Sequence, residues 1–351
     1  MSLRIEGMGW VTPLGSCLDE VWARLNAGEI APTAELSTES SSRKHRYFPV
    51  PPDLVAQFGK NPRLRRSSAI TYFTAGAGLA AIENAGLKMA PELAKRTAII
   101  FAIASGGVIY TRKFYDAIAR QGANAASPLL FPETVYNAPA AHLAALLGID
   151  GASYTLVGDG SVGLAALKMA EQLLTDPELA HCLVVGGEEI DWILCEAYRT
   201  WRLITSQAKI ELHSGRGTLF GDCGAAILVG REGPISLSKI HSGESFFRRQ
   251  DAPGAINRVL SHLAQDGNAE LAVSCANGTF IDNAERAALD QFFPNAKVLC
   301  PKKSIGEALG AGALVQTIVA ALALQHGDAE RAVVSSLGFN QQAAGAILSK
   351  P

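Results

Sequence analysis

From residue 151 to 167 the sequence reads Gly-Ala-Ser-Tyr-Thr-Leu-Val-Gly-Asp-Gly-Ser-Val-Gly-Leu-Ala-Ala-Leu. Ser153 to Val157 is a β run. Gly158-Asp159-Gly160-Ser161 makes a tight corner, and a helix starts at once at Val162. A strand that turns this sharply into a helix presents one corner residue to a pocket, with the unpaired N–H groups of the helix start behind it. Enzymes use the arrangement to hold a nucleophile beside an oxyanion site. In this chain the corner residue is glycine, which has no side chain to attack with.

The flanking sequence alternates strands and helices. Leu3 to Gly9 reads as a strand, Leu18 to Asn26 as an amphipathic helix closed by Gly28, and Ser67 to Ala85 as a helix capped by Gly86. Gly76 and Gly78 within it imply close packing on another helix. Arg96 to Ala104 and Leu183 to Val185 are continuous apolar runs, the mark of strands covered on both faces. The pairs Gly106-Gly107 and Gly186-Gly187 are read as turns ending them. The polar stretch 31–46 is read as a surface loop. A second series begins near Pro234, with strands over 235–240, 270–275, 297–300, 331–336 and 344–348 and helices between them. Lys302 to Gly306 is read as a loop and Ala308 to His326 as a long small-residue helix. The pattern predicts an α/β fold in two successive halves, 1–232 and 233–351, forming one unit.

Composition narrows the partners. The net charge is −2 and the one basic cluster, Arg63-Leu64-Arg65-Arg66, is short. Nucleic acid and anionic membrane are therefore not expected partners. That cluster reads as a solvated helix start, or as a contact for an acidic carrier protein. No apolar run reaches the ~18 residues that span a bilayer. Six cysteines without CxxC pairs read as reduced thiols of a cytoplasmic protein, and neither metal nor cofactor is expected. Hydrophobic residues make up 48% of the chain, which fits deep internal layers or a large subunit interface.

Six stretches, in order, resemble the β-ketoacyl synthases of the thiolase superfamily, in particular the elongating branch. They are Ile5-Glu6-Gly7-Met8-Gly9 with Thr12-Pro13-Leu14-Gly15; AAIENAGL at 80–87, similar to a helix ending in DAGL; and Gly148 to Thr155, similar to the approach to the nucleophile. GTLFGDCGAA at 217–226 resembles GEGAGA, with Asp222 where that family has Glu. Lys302 to Gly306 resembles KSNIG, and Gly338-Phe339 the start of GFGG. The resemblance implies a thiolase-like layered α-β-α-β-α fold with mostly parallel mixed sheets. It also implies an acyltransferase chemistry resting on one cysteine and two histidines.

Residue by residue, the resemblance puts Gly160 at the place of the cysteine. The first histidine's place is Asn277, or Cys275 in a shifted register, and the second's is Glu307. The orienting lysine is matched by Lys302, which is expected to pair with Glu307. Asp159, Ser161, Asp222, Thr279 and Phe339 complete the expected vestigial pocket. None of the seven histidines stands at a motif, and GFGG is replaced by Gly338-Phe339-Asn340-Gln341-Gln342. The expectation is a subunit without condensing activity that pairs with a catalytic ketosynthase, as chain-length factors do, or with itself. The alternatives are an acyltransferase or thioesterase working with Asp159, Ser161, Cys275 or Glu307, including an Asp222–Glu307 carboxylate pair, and a homodimeric acyl-binding scaffold.

Overall fold

The computed structural model describes residues 3–39, 41–339 and 342–350. Its spine is a ten-stranded mixed sheet. The strands Thr97–Ile103, Ser153–Val157 and His181–Glu188 run parallel at one end, and Leu271–Val273, Lys297–Leu299 and Arg331–Leu337 run parallel at the other. Antiparallel strands Leu3–Val11, Cys223–Gly230, Ile235–Ser245 and Gln342–Ser349 join the two ends. The link between the halves is narrow: Leu3, Arg4 and Ile5 pair with Leu237, Ser236 and Ile235.

Folded about that link, the sheet encloses the helix Gly312–His326, whose first thirteen residues are all buried, together with Val162–Leu173. Outer helices Ala69–Asn84 and Ala138–Leu147 cover one half of the sheet, and Ala252–Ala264 and Ile281–Phe292 cover the other half. The result is the layered, thiolase-like arrangement α-β-α-β-α. Close helix packing depends on glycine at particular points. A Cβ on Gly163 would lie 2.9 Å from Leu314 Cγ, and one on Gly78 3.1 Å from Leu143 Cδ1.

The structure departs from the sequence reading in a few places. The polar stretch 31–46 contains a hairpin, Ala34–Thr38 with Ser41–Phe48, whose His45 and Phe48 are buried. Gly186 and Gly187 lie inside a strand rather than ending it. Neighbouring elements approach both so closely that only hydrogen fits: a Cβ on Gly186 would lie 2.7 Å from the Gly310 carbonyl, and one on Gly187 would overlap Thr74. Lys302–Ile305 is a short helix, and Arg63 to Arg66 lie in turns with Leu64 fully buried. The stretch Leu309–His326 is long and apolar enough to cross a bilayer, contrary to the expectation, but 89% of it is buried inside the protein.

Candidate functional site

The corner forms as the sequence predicts. Strand Ser153–Val157 ends where Gly158 N donates to the Ile103 carbonyl (3.0 Å), and the helix starts at Val162 with its N–H bonded to the Asp159 carbonyl (3.0 Å). Ser161 stands at the N-cap position, but its side chain caps nothing. Its Oγ donates to Asp159 Oδ1 (3.0 Å) and its N–H to the same oxygen (3.2 Å), so the pair braces the turn instead. Gly160 is buried, with its carbonyl accepting from Ser336 Oγ (3.0 Å). A Cβ built on it would have two neighbours within 4 Å, Glu307 Oε1 (3.8 Å) and Lys302 Nζ (3.9 Å).

Those neighbours belong to a closed polar cluster. Glu307 Oε2 accepts from both Lys302 Nζ (2.7 Å) and Asn277 Nδ2 (2.7 Å), and Oε1 accepts from the Leu309 N–H (3.0 Å). Thr279 Oγ1 completes it by donating to Asn277 Oδ1 (2.7 Å). Asn277, Thr279, Lys302 and Glu307 are all at least 97% buried. Burial by itself would lower the pKa of the Lys302 ammonium. The Glu307 carboxylate more than offsets this, and the net shift is upward. Leu309 sits at φ 39°, a left-handed conformation that a leucine seldom adopts and that its N–H bond to Glu307 accompanies.

The remaining expected residues divide between the cluster and other parts of the fold. Asp159 is buried against Gly338, where any Cβ would overlap its carboxylate. Phe339 is half-buried and meets the Tyr198 ring edge-on at 5.7 Å; Asn340 and Gln341 lie outside the described residues. Cys275 does not join the Glu307 cluster. Its sulfur accepts from the Leu337 N–H (3.1 Å) within a separate apolar core, and burial, reinforced by the nearby Glu285, holds the thiol well above its usual pKa. Asp222 does not pair with Glu307. Its two oxygens accept from the Ile190 N–H (2.8 Å) and the Val50 N–H (3.4 Å), and burial pushes its pKa up to about 8.

Two carboxylates that the sequence reading passed over hold the loop carrying Asn277. Asp282 accepts from the N–H groups of Asn277 (2.8 Å) and Gly278 (2.9 Å). Glu285 accepts from Ser274 Oγ (2.5 Å), the Cys275 N–H (2.7 Å) and Ser335 Oγ. Both are in the first turns of the helix Ile281–Phe292 and both are fully buried or nearly so. An acidic residue just inside a helix start, right after a glycine-containing loop, was the available signal. Among the histidines, His142 Nε2 bonds Glu133 (2.7 Å), His326 stacks on Trp22, and His213 lies at φ 59° with its N–H on Asp282. Among the described residues no group of three or more His, Cys, Asp or Glu is placed to hold a metal.

Residues 2–233 match the family model for the N-terminal domain of β-ketoacyl synthases. The chain belongs to the β-ketoacyl synthase family. One curated relative is 3-oxoacyl-[acyl-carrier-protein] synthase 2 of Vibrio cholerae, 25% identical over 187 residues. That match takes in 53% of this chain and 45% of the relative, so the chain spans less than half of that ketosynthase's length. Among solved structures, a β-ketoacyl synthase from Burkholderia phymatum superposes with a TM-score of 0.84 at 14% identity, covering 100% of this chain and 99% of that one. The ishigamide ketosynthase/chain length factor superposes with 0.82 at 20% identity and the same coverage. At such identities the likeness shows the ketosynthase fold.

Proposed function

We propose that this chain is a ketosynthase-like subunit that does not condense acyl groups by itself and that pairs with a catalytic ketosynthase, as a chain-length factor does. Its setting is fatty-acid, polyketide or aryl-polyene type biosynthesis in the cytoplasm, with an acyl carrier protein as a further contact. One observation carries the reading. The corner that should hold a nucleophile is Gly160; the two groups nearest it, Lys302 and Glu307, are bonded to each other, and Glu307 also accepts from Asn277. Covalent acyl transfer needs a side chain to be acylated and a base or donor free to assist it. On this reading Gly160, Asn277 and Glu307 occupy the three triad places, and the family's first histidine corresponds to Asn277 rather than Cys275.

Pairing has its own support. Ser153–Val157 is an edge strand of the large sheet, with Tyr154 and Val157 exposed. The helix Ala138–Leu147 that packs on it follows a segment with Phe131, Val135 and Tyr136 exposed, and Tyr115 is exposed on the neighbouring helix Val108–Gln121. An unpaired edge flanked by aromatic surface is a template for a second chain. That one solved neighbour is a ketosynthase/chain length factor accords with this. The deciding experiment is native mass spectrometry of the protein purified from its own host. A one-to-one complex with a ketosynthase carrying the Cys-His-His triad is expected; a stable homodimer with nothing attached overturns the reading.

A further inference from the structure

A second basic run, Arg43-Lys44-His45-Arg46, which the sequence reading passed over, lies in the hairpin strand Ser41–Phe48. That strand pairs with Ala34–Thr38 on one side but meets Phe220-Gly221 on the other only at Tyr47 and Phe48, and a cleft of about 330 Å³ opens beside it. Arg43, Lys44 and Arg46 line the cleft together with Arg199 from the helix Trp192–Thr200 and the hydroxyl residues Thr205 and Ser206. Four fixed positive charges there meet two carboxylates. Glu196 takes Arg199 (2.6 Å), Arg43 (2.7 Å) and Nε2 of the buried His45 (2.9 Å); Glu35 takes Lys44 (3.1 Å) and, more loosely, Arg46 (3.9 Å). The Arg199 guanidinium, helped by His45 and Arg43, pulls the Glu196 carboxyl down to about 2. The cleft therefore keeps an excess of two positive charges, in a chain whose net charge is −2.

We propose that this cleft is a binding site for a phosphate monoester in its dianionic form. With a second pKa of about 6, a monoester carries close to two negative charges at about pH 8, which match the excess in the cleft. The concave wall concentrates the field of the four cations on one small anion, and the volume suits a ligand of nucleotide size. Arginine offers five N–H donors and lysine three, so one carboxylate contact each leaves donors for phosphate oxygens. Thr205 Oγ1 accepts the Gln207 N–H (3.2 Å), which leaves its own proton to donate. His45 fixes the framework: it is 95% buried, and its ring lies 5.5 Å from that of Trp192. A phosphodiester brings one charge and is matched less well. The cleft shares no residue with the Gly160 cluster and works whether or not the chain pairs with a ketosynthase.

Calorimetric titration at about pH 8 and low ionic strength compares AMP, a monoester, with cyclic AMP, a diester of the same base and nearly the same size. AMP is expected to bind at least about tenfold more tightly, adenosine not measurably, and inorganic phosphate is expected to displace AMP. Lys44→Gln and Arg46→Gln are each expected to weaken AMP about tenfold, whereas Arg286→Gln, which removes an exposed charge on another helix, leaves it unchanged. No binding of AMP, equal binding of AMP and cyclic AMP, or AMP that inorganic phosphate fails to displace overturns the proposal. Unchanged affinity in folded Lys44→Gln and Arg46→Gln variants does the same. The ligand comparison uses the unaltered chain, so it decides the matter even if a variant fails to fold. A homodimer in the native-mass experiment refutes pairing and leaves this titration standing.

Discussion

Replacing Glu307 with glutamine keeps the size of the side chain and removes its charge. The Lys302 ammonium, 97% buried, then has no counter-charge at 2.7 Å. The new amide also points its N–H groups toward Lys302 Nζ and Asn277 Nδ2, both donors, if its oxygen keeps the Leu309 N–H. Removing one partner of a buried ion pair costs about 3–5 kcal/mol, because the other charge is left desolvated and unpaired. Unfolding entropy is about 2.1 cal/mol/K per residue, or about 0.74 kcal/mol/K for 351 residues. The loss therefore lowers Tm by roughly 4–7 °C. Removing both charges, as Lys302→Met with Glu307→Gln, relieves the unpaired ammonium and should recover about half of that loss or more. Calorimetric melts of the two single variants and the double variant measure the coupling. If Glu307→Gln melts within about 1 °C of the parent, or the double variant loses the sum of the two singles, the niche is not held together by this pair.

The pH dependence of stability has a definite sign. Burial raises the pKa values of Asp222 to about 8 and of Glu188 and Glu189 to about 7, above their unfolded values, so the folded chain binds more protons between about pH 4 and 8. The stabilisation these carboxyls give is complete below their unfolded pKa and is lost as pH rises through the folded one. Denaturant midpoints should therefore fall from pH 5.5 to 8.5, and Asp222→Asn should flatten that slope. Gly160→Cys should fold with a Tm close to the parent's but give no condensation of an acyl thioester with a malonyl thioester in a radiochemical assay, because Glu307 still occupies Lys302 and Asn277. Turnover by that variant alone would contradict the inactive reading. Val157→Lys, on the exposed edge strand, should weaken subunit pairing at least tenfold in sedimentation velocity while leaving the melt of the separated chain within about 1 °C.

Much of the fold was legible because it rests on local periodicity. A short, apolar run rich in β-branched residues such as Thr97–Ile103 reads as a strand covered on both faces, and the 153–157 strand, glycine corner and helix at 162 are written in seventeen consecutive residues. The hairpin at 34–48 was not legible in that way. Its residues are mostly polar, and its strand character comes from pairing with Phe220-Gly221 and from burying His45 and Phe48. Gly186 and Gly187 misled in the opposite sense. Glycine in a run suggests a turn, and only the backbone of Gly310 and the methyl of Thr74 pressing on them shows why a strand needed them.

The candidate site divides along the same line. The sequence alone determined that a glycine stands at the corner, that glutamate and not histidine comes directly after Gly306, and that Lys302 and Glu307 lie five residues apart. It left open whether Cys275 or Asn277 joins Glu307 and whether Asp222 and Glu307 make a pair. Tertiary structure decided both. The carboxylates of Asp282 and Glu285 accept from the N–H groups of Cys275, Asn277 and Gly278, which delivers Asn277 to Glu307 and leaves Cys275 against Leu337. Asp222 is turned toward Ile190 and Val50. Periodicity specifies elements because it acts over a few neighbouring residues. Which buried polar groups meet also depends on contacts between residues as far as 172 positions apart, where each donor takes the partner that the packed layers bring within reach.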